Sequence, residues 1–297
     1  MISNKLYCLN KHLVNLIDLL DKDKFPQILM LSGKKGQGKF TLIYHLMSYI
    51  LDKTNYDLKN TRVNETNILY NNINKDFNSN IIYFNCANRI IKIDDIRNLR
   101  VDLQKSSINN IKRFIIFDDV EYLNDNCINA LLKTVEEPSD INYFVMINNQ
   151  SQNLLDTLKS RSIELKFFLN KEEKKEIIKN LILDFKIEEK INLNNSTLTP
   201  GNYLKFNKII LEDKIDINDE LIINIKKLLK LQKLKKNIDY QNFVIYLINQ
   251  YYFDKSKNDN KFDYYNDKRI NIIKKIDESY KLNLNQSNLI IEIENHI

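Results

Sequence analysis

The sequence predicts an α/β fold: a parallel sheet covered by helices, followed by a helical C-terminal half. Three observations carry this. Through residue 167, short apolar runs alternate with segments whose apolar residues recur at helical spacing. A glycine-rich stretch, Ser32 to Thr41 ("SGKKGQGKFT"), joins one such run to one such segment. After Phe168 strand signals fade, and Lys171 to the C-terminus is mostly helical in pattern.

In chain order, "QILML" (Gln27–Leu31) lies between Pro26 and the glycine loop and is expected as a buried strand. Leu42, Ile43, Leu46, Met47, Ile50 and Leu51 then mark a helix. Asp52 to Asn80 is Asn-rich and aperiodic, the pattern of a long connection with one short helix. "IIYF" (Ile81–Phe84) is the next strand, and Ile93–Gln104 a helix with Ile96, Leu99 and Leu103 on one face. "FIIF" (Phe114–Phe117) is a fully apolar strand ending in Asp118 and Asp119. Asn124 to Glu137 is a helix with a capping Asn, a stripe of Ile128, Leu131, Leu132 and Val135, and a stop at Pro138. "YFVMI" (Tyr143–Ile147) is a buried strand, and "SIELKFF" (Ser162–Phe168) alternates as a last one. "TPG" (Thr199–Gly201) punctuates the helical half, and Lys255–Lys268 has the composition of a polar loop. The expected division is an α/β domain at 1–167, a small helical domain at 168–212 and a second helical domain at 213–297.

At 297 residues the chain is long enough for two or three domains, and 43% apolar with 28% charged residues suits a soluble globular protein. No stretch approaches the roughly 18 uninterrupted apolar residues of a membrane span, and "MISNKLYCLNKH" lacks the apolar centre of a secretion signal. Cys8, Cys86 and Cys127 are too far apart for a Cys-x-x-Cys zinc site. The expectation is a cytoplasmic protein without a metal site or membrane partner. The net charge of +6 would suit an anionic partner, but Lys, Asn and Ile are enriched together, as AT-rich codons produce, so it marks no binding face. Arginine is scarce, which gives an Arg in a special position more weight than a Lys.

The glycine loop nearly matches a phosphate-binding loop. Gly33, Gly38 and Lys39 fall on the pattern Gly, four free positions, Gly, Lys, Ser or Thr, with Gly36 inside it. Backbone N–H groups at a helix N-terminus can cradle phosphate oxygens, and Lys39 would reach the terminal ones. The residue after Lys39 is Phe40, which has no oxygen for magnesium, and Thr41 lies about 100° further round the helix. A glycine turn without ligand fits the same residues. "FIIFDDVE" has the form of the second phosphate-site motif: Asp118 would hold magnesium through water, and Asp119 stands where a Glu orients the attacking water. An ordinary acidic strand end looks the same. Asn149, after the strand "YFVMI", could contact a γ-phosphate or simply favour a loop. Arg161, between a short helix and an edge strand, could serve phosphate charge on a neighbouring subunit or form a surface ion pair.

Taken together, "NALLKTVEEPS" (Asn129–Ser139) and "TLKSRS" (Thr157–Ser162) closely resemble the clamp-loader branch of the AAA+ proteins, with its "ALLKxLEEP" and Ser-Arg-Cys motifs. "KIDDIRNLRVDL" (Lys92–Leu103) and "FPQILMLSGKKGQGK" (Phe25–Lys39) fit the same branch, and the resemblance extends to about residue 210. Within it the chain looks most like the delta prime subunits of bacterial DNA polymerase III. Phe40 replaces the magnesium ligand, Asp119 the usual Glu, and Asn202 the nucleotide-sensing Arg of the lid, while Ser162 stands for the Cys and leaves Arg161 intact. The family's frequent zinc cysteines are missing from Asp52–Asn80. The resemblance implies a P-loop AAA+ domain, a lid and a helical collar in a five-subunit ring with the ATPase (gamma or tau) and delta subunits. It further implies no productively bound cofactor here, ATP and Mg²⁺ on neighbouring subunits, Arg161 acting in trans, and a sliding clamp and primed DNA reached through the complex.

Two other functions are open to these residues. One is an ATP-hydrolysing motor subunit of the same loader, or another AAA+ ATPase, using Thr41. The other is sequence-independent DNA binding through "IKKLLKLQKLKK" (Ile225–Lys236), against which a collar helix with Ile225, Leu228, Leu229 and Leu234 on one face is the plainer expectation. The aromatic-rich "YQNFVIYLINQYYF" (Tyr240–Phe253) is expected to need a partner to cover it.

Overall fold

The computed structural model of the chain describes residues 2–70, 80–87, 90–104, 112–136, 139–193, 196–259, 261–282 and 284–296. It divides into two compact units. The first comprises Met1–Lys186 with Thr197–Asn202, and the second Ile187–Ser196 with Tyr203–Ile297.

The first unit is built on a five-stranded parallel sheet. Its strands are β1 (Ile28–Ser32), β4 (Ile81–Asn85), β5 (Arg113–Asp118), β6 (Asn142–Asn148) and β7 (Ile163–Lys166), in the spatial order β4-β5-β6-β1-β7. β1 and β6 are buried along their whole length, and β5 along all but its last residue, which is why their sequences read as unbroken apolar runs. β7, paired only with β1, alternates and is mostly exposed, as an edge strand does. Among the helices are α1 (Asn10–Asp21), α2 (Lys39–Leu51), α3 (Ile93–Gln104), α4 (Asp125–Val135), α5 (Asp156–Lys159) and α6 (Lys171–Phe185). α3 and α4 bury Ile96, Leu99, Ile128, Leu131 and Val135 in one core with Ile115, Phe117, Phe144 and Met146 of the sheet. The Asn124 side chain caps α4 by accepting from the Cys127 N–H at 2.9 Å.

Several details differ from the sequence expectation. α1 was not anticipated, although its buried Leu13, Leu16 and Ile17 have helical spacing. The described part of Asp52–Asn80 contains a short 3₁₀ turn and an antiparallel ribbon of β2 (Tyr56–Asp57) and β3 (Arg62–Val63). Two-residue strands have no periodicity to detect. The expected stop of α4 at Pro138 lies outside the described residues.

The second unit is helical. α7 (Pro200–Glu212) begins in the first unit and continues into the second, which also holds α8 (Leu221–Lys235), α9 (Ile238–Asp259), α10 (Phe262–Lys281) and α11 (Gln286–His296). These last four pack in sequence, and α11 returns to α8. The expected polar loop at Lys255–Lys268 is instead the end of α9 and the start of α10. Polar residues suit exposed helix turns, and lysines one turn away lie over rings here, Lys257 over Phe253 at 4.2 Å and Lys268 over Tyr264 at 4.8 Å. In α8, Ile225, Leu228 and Leu229 are buried, but Leu234 is 70% exposed. Nine residues beyond Ile225, it falls about half a turn off that face. Much of the aromatic surface of α9 is covered within this unit: Phe243 stacks on Phe206 with ring centroids 4.6 Å apart, and Tyr252 is buried.

Phe206 and Phe243 are each 1% exposed, so truncation leaves a cavity that the helices cannot readily fill. Phe243→Ala should destabilise the chain by about 3–5 kcal/mol, read as a lower urea midpoint. A midpoint within error of the parent's would mean that this stack does not organise the helical unit.

Candidate functional site

The glycine loop follows β1 and opens α2, and its conformation explains its glycines. Gly36 has φ +86° and Gly38, the residue capping α2, φ +90°, in the region where a side chain is strained. At Gly36 space is lacking as well: a Cβ there would lie 2.4 Å from Thr199 Oγ1. Gly201 approaches from the other side, where a Cβ would meet Gly36 Cα at 2.8 Å. The Thr199–Gly201 segment thus rests directly on the loop.

Hydrogen bonds fix this contact. Thr199 Oγ1 donates to the Lys35 carbonyl at 2.7 Å, and the Gly201 N–H to the Gly36 carbonyl at 2.8 Å. Lys39 turns back on its own loop, its Nζ donating to the carbonyls of Gly33 at 2.6 Å and Lys34 at 3.0 Å. Four successive loop carbonyls, Gly33 to Gly36, therefore have donors from the chain itself. Lys39 is 2% exposed, and burial pulls its ammonium down to about 8.

The acidic side of the cleft comes from the ends of β5 and β6. Asp119 is in the left-handed conformation, with φ +57° and ψ +45°, which Asp tolerates better than most residues. Its carboxylate receives Lys35 Nζ at 2.9 and 3.0 Å and Asn149 Nδ2 at 2.7 Å. Although burial opposes it, the Asp119 carboxylate holds the Lys35 ammonium above its ordinary range. Glu121 accepts the backbone N–H groups of Asn149 and Ser151 at 3.1 Å, and burial raises its pKa. Asp118 accepts the Asp119 N–H at 3.0 Å and the Tyr83 hydroxyl at 3.2 Å. Burial, reinforced by the neighbouring Asp119, pushes its carboxyl up to about 6.

Phe40 packs on Tyr83 with ring centroids 5.4 Å apart, and Tyr83 in turn bonds Asp118. A magnesium ion would meet an aromatic ring where a hydroxyl ligand belongs, and carboxylates already engaged by an ammonium and a phenol. These residues do not fit the metal. Asn202 lies at the loop, with its Oδ1 3.3 Å from where a Gly36 Cβ would be. Thr41 occupies the first turn of α2 beyond Phe40 and is half-buried.

The structure thus gathers Gly33, Gly36, Gly38, Lys39, Asp118, Asp119 and Asn149 around one cleft. Arg161 makes its bonds elsewhere: Nη2 meets Glu136 Oε1 at 2.8 Å, and Nη1 donates to the Thr157 carbonyl at 3.0 Å. Sequence reasoning missed Lys35, Tyr83, Glu121 and Thr199 as members of the site. Glu121 was visible in "DDVE", whereas Thr199 carried no signal beyond its place in "TPG". Among the described residues no group of His, Cys, Asp and Glu could hold a metal ion, and no helix is long and apolar enough to cross a membrane.

A parallel sheet with β1 between β6 and β7, a glycine loop leading into α2 and acids at the end of β5 define a P-loop α/β protein of AAA+ type with a helical C-terminal region. Residues 9–171, more than half of the chain, match the family described as DNA polymerase III, delta subunit, and the chain belongs to that family. It is 27% identical over 150 residues to the DNA polymerase III subunit delta′ of Buchnera aphidicola subsp. Schizaphis graminum, covering 49% of this chain and 44% of that one. It is 28% identical over 165 residues to the DNA polymerase III subunit gamma of Buchnera aphidicola subsp. Acyrthosiphon pisum, covering 55% and 45%. The chain spans about half the length of these curated relatives. A solved structure of a DNA polymerase III gamma subunit-related protein from Thermotoga maritima aligns over 96% of this chain and 99% of its own, with 18% identity and a TM-score of 0.47.

The raised pKa of Asp118 has a consequence for stability. Between about pH 4, the ordinary carboxylate value, and about 6, its folded-state value, the folded chain binds a proton more readily than the unfolded one. Stability is therefore lost as pH rises through that window. Asp118→Asn removes the charge and keeps an oxygen acceptor. At pH 7–8 it should raise stability by about 1–2 kcal/mol, and the gain should shrink as pH falls from 6 towards 4. Melting curves of both proteins across this range check it; a pH-independent difference would show that burial of this charge is not the cause.

Proposed function

We propose that this chain is a non-hydrolysing clamp-loader subunit of the bacterial replicative DNA polymerase. It supports ATP-driven loading of the sliding clamp onto primed DNA and lends Arg161 to the ATP site of a neighbouring subunit. The observation that carries the reading is that Phe40, packed on Tyr83, follows Lys39 where a metal-binding hydroxyl would stand, while Lys35 pairs with Asp119. The loop is a degenerate form of the phosphate-binding motif, kept as a scaffold.

The neighbours are an ATPase subunit of gamma or tau type and a delta subunit in a five-subunit cytoplasmic ring, with ATP and Mg²⁺ on the ATPase subunits. The α/β part at 1–167 presents Arg161, 168–212 serves as the lid, and 213–297 forms the collar. In phosphoryl transfer charge gathers on the phosphoryl oxygens, and a guanidinium from across a subunit boundary can stabilise it without touching the nucleophile. The resemblance to delta′ relatives and the intact Ser-Arg pair at 160–161 support this role.

The isolated chain should show no ATP turnover above background, in a phosphate-release assay with Mg²⁺, and Lys39→Ala should change nothing. Magnesium-dependent turnover that disappears in Lys39→Ala would favour the motor-subunit reading instead. In the reconstituted complex, Arg161→Ala should leave assembly intact and lower DNA-stimulated ATPase about tenfold, well below the roughly 10³-fold of a lone arginine finger because other sites keep their own. Arg161→Lys should not restore the rate, since a point charge lacks the planar fork. Equal rates with Arg or Ala at 161 would remove the residue from the mechanism.

A further inference from the structure

We infer that Glu136 is a positioning residue for Arg161: its carboxylate orients the guanidinium at the rim so that the free side of the fork faces an incoming phosphate. The inference rests on the proposed trans role of Arg161 and deepens it.

Arg161 is held at two points by two different elements. Glu136 caps the C-terminal end of α4, its N–H bonded to the Leu132 carbonyl at 2.9 Å, and contacts Nη2 at 2.8 Å. Thr157 lies in α5, and its carbonyl takes Nη1 at 3.0 Å. One hydrogen bond and one ion pair, at different terminal nitrogens, together restrict where the guanidinium can lie. An arginine carries five N–H donors in a rigid fork, so two anchors leave others for an anion. The nearby carboxylate of Asp156 is taken by Lys159 at 3.0 Å.

The helix that precedes the anchor is fixed, because α4 buries Ile128, Leu131 and Val135 against the sheet. The ion pair is open to water, with side-chain exposures of 39% for Arg161 and 47% for Glu136. Such a pair contributes little to stability. What it does supply is orientation: a long, flexible side chain is confined before a phosphate arrives, and misplacement of a charge-stabilising group lowers the rate of the chemical step. Exposure also lets the guanidinium exchange part of its contact with carboxylate for phosphate without leaving an unpaired buried charge.

The test is the DNA-stimulated ATPase of the reconstituted complex carrying Glu136→Ala, Glu136→Gln, Arg161→Ala or the double variant. Glu136→Ala should lower kcat about threefold to fivefold with little change in KM, and leave the melting temperature and assembly at parent values. Glu136→Gln keeps an oxygen acceptor and should recover part of the rate. The double variant should be no slower than Arg161→Ala alone, since Glu136 acts only through that residue. Loss of rate in Arg161→Ala with parent kcat in both Glu136 variants would overturn the positioning role and leave the arginine's role standing. A faster Glu136→Ala complex, or additive losses in the double variant, would overturn it too. No effect of Arg161→Ala would instead defeat the proposed function beneath it.

Discussion

The ion pair between Lys35 and Asp119 is the constraint on which the cleft depends. Asp119 is almost fully enclosed, its side chain 4% exposed, and Lys35 is only 26% exposed. Charges so placed persist only when they are paired and hydrogen-bonded. Lys35 comes from the loop after β1 and Asp119 from the end of β5, while Asn149 adds a second bond from the end of β6. One carboxylate therefore ties together three neighbouring places in the sheet. The left-handed backbone of Asp119 is the local strain this arrangement sustains.

The other contacts are consistent with that pair. With Lys35 drawn to Asp119, its own carbonyl accepts Thr199, and the next accepts the Gly201 N–H. Two glycines face each other at a separation no side chain permits, which brings residues remote in sequence onto the loop. Lys39, enclosed and without an ionic partner among its hydrogen bonds, satisfies its ammonium with loop carbonyls. These charged groups are thus matched, whereas the buried Ser32 Oγ and Gln37 Oε1 of the same loop have no hydrogen-bond partner. A further cost of the cleft is the Asp118 carboxyl, burdened by burial and by the charge beside it.

At the rim the balance is different. Arg161 and Glu136 form an ion pair that faces water. In the cleft, polar groups are consumed by bonds that burial makes obligatory; at the rim, exposure keeps the pair exchangeable. The contrast is between polar groups held by buried bonds around the loop and an ion pair that stays open to water.

The strands β1, β5 and β6 and the helices α2, α3 and α4 were determined by the sequence alone, because strands buried on both faces and helices with one apolar stripe leave signals that survive in any context. The glycine loop, the acids after "FIIF" and the Ser-Arg pair were legible for the same reason, being short motifs with fixed local geometry. The helical region at Lys255–Lys268 was not, since exposed turns of a helix and a polar loop share one composition. Tertiary structure alone decided which cation meets which carboxylate. Nothing in "SGKKGQGKF" tells that Lys35 crosses to Asp119 while Lys39 folds back, and nothing in "TPGN" tells that it lies on the loop. Those choices depend on distances between residues up to 164 positions apart and on which charges folding removes from water.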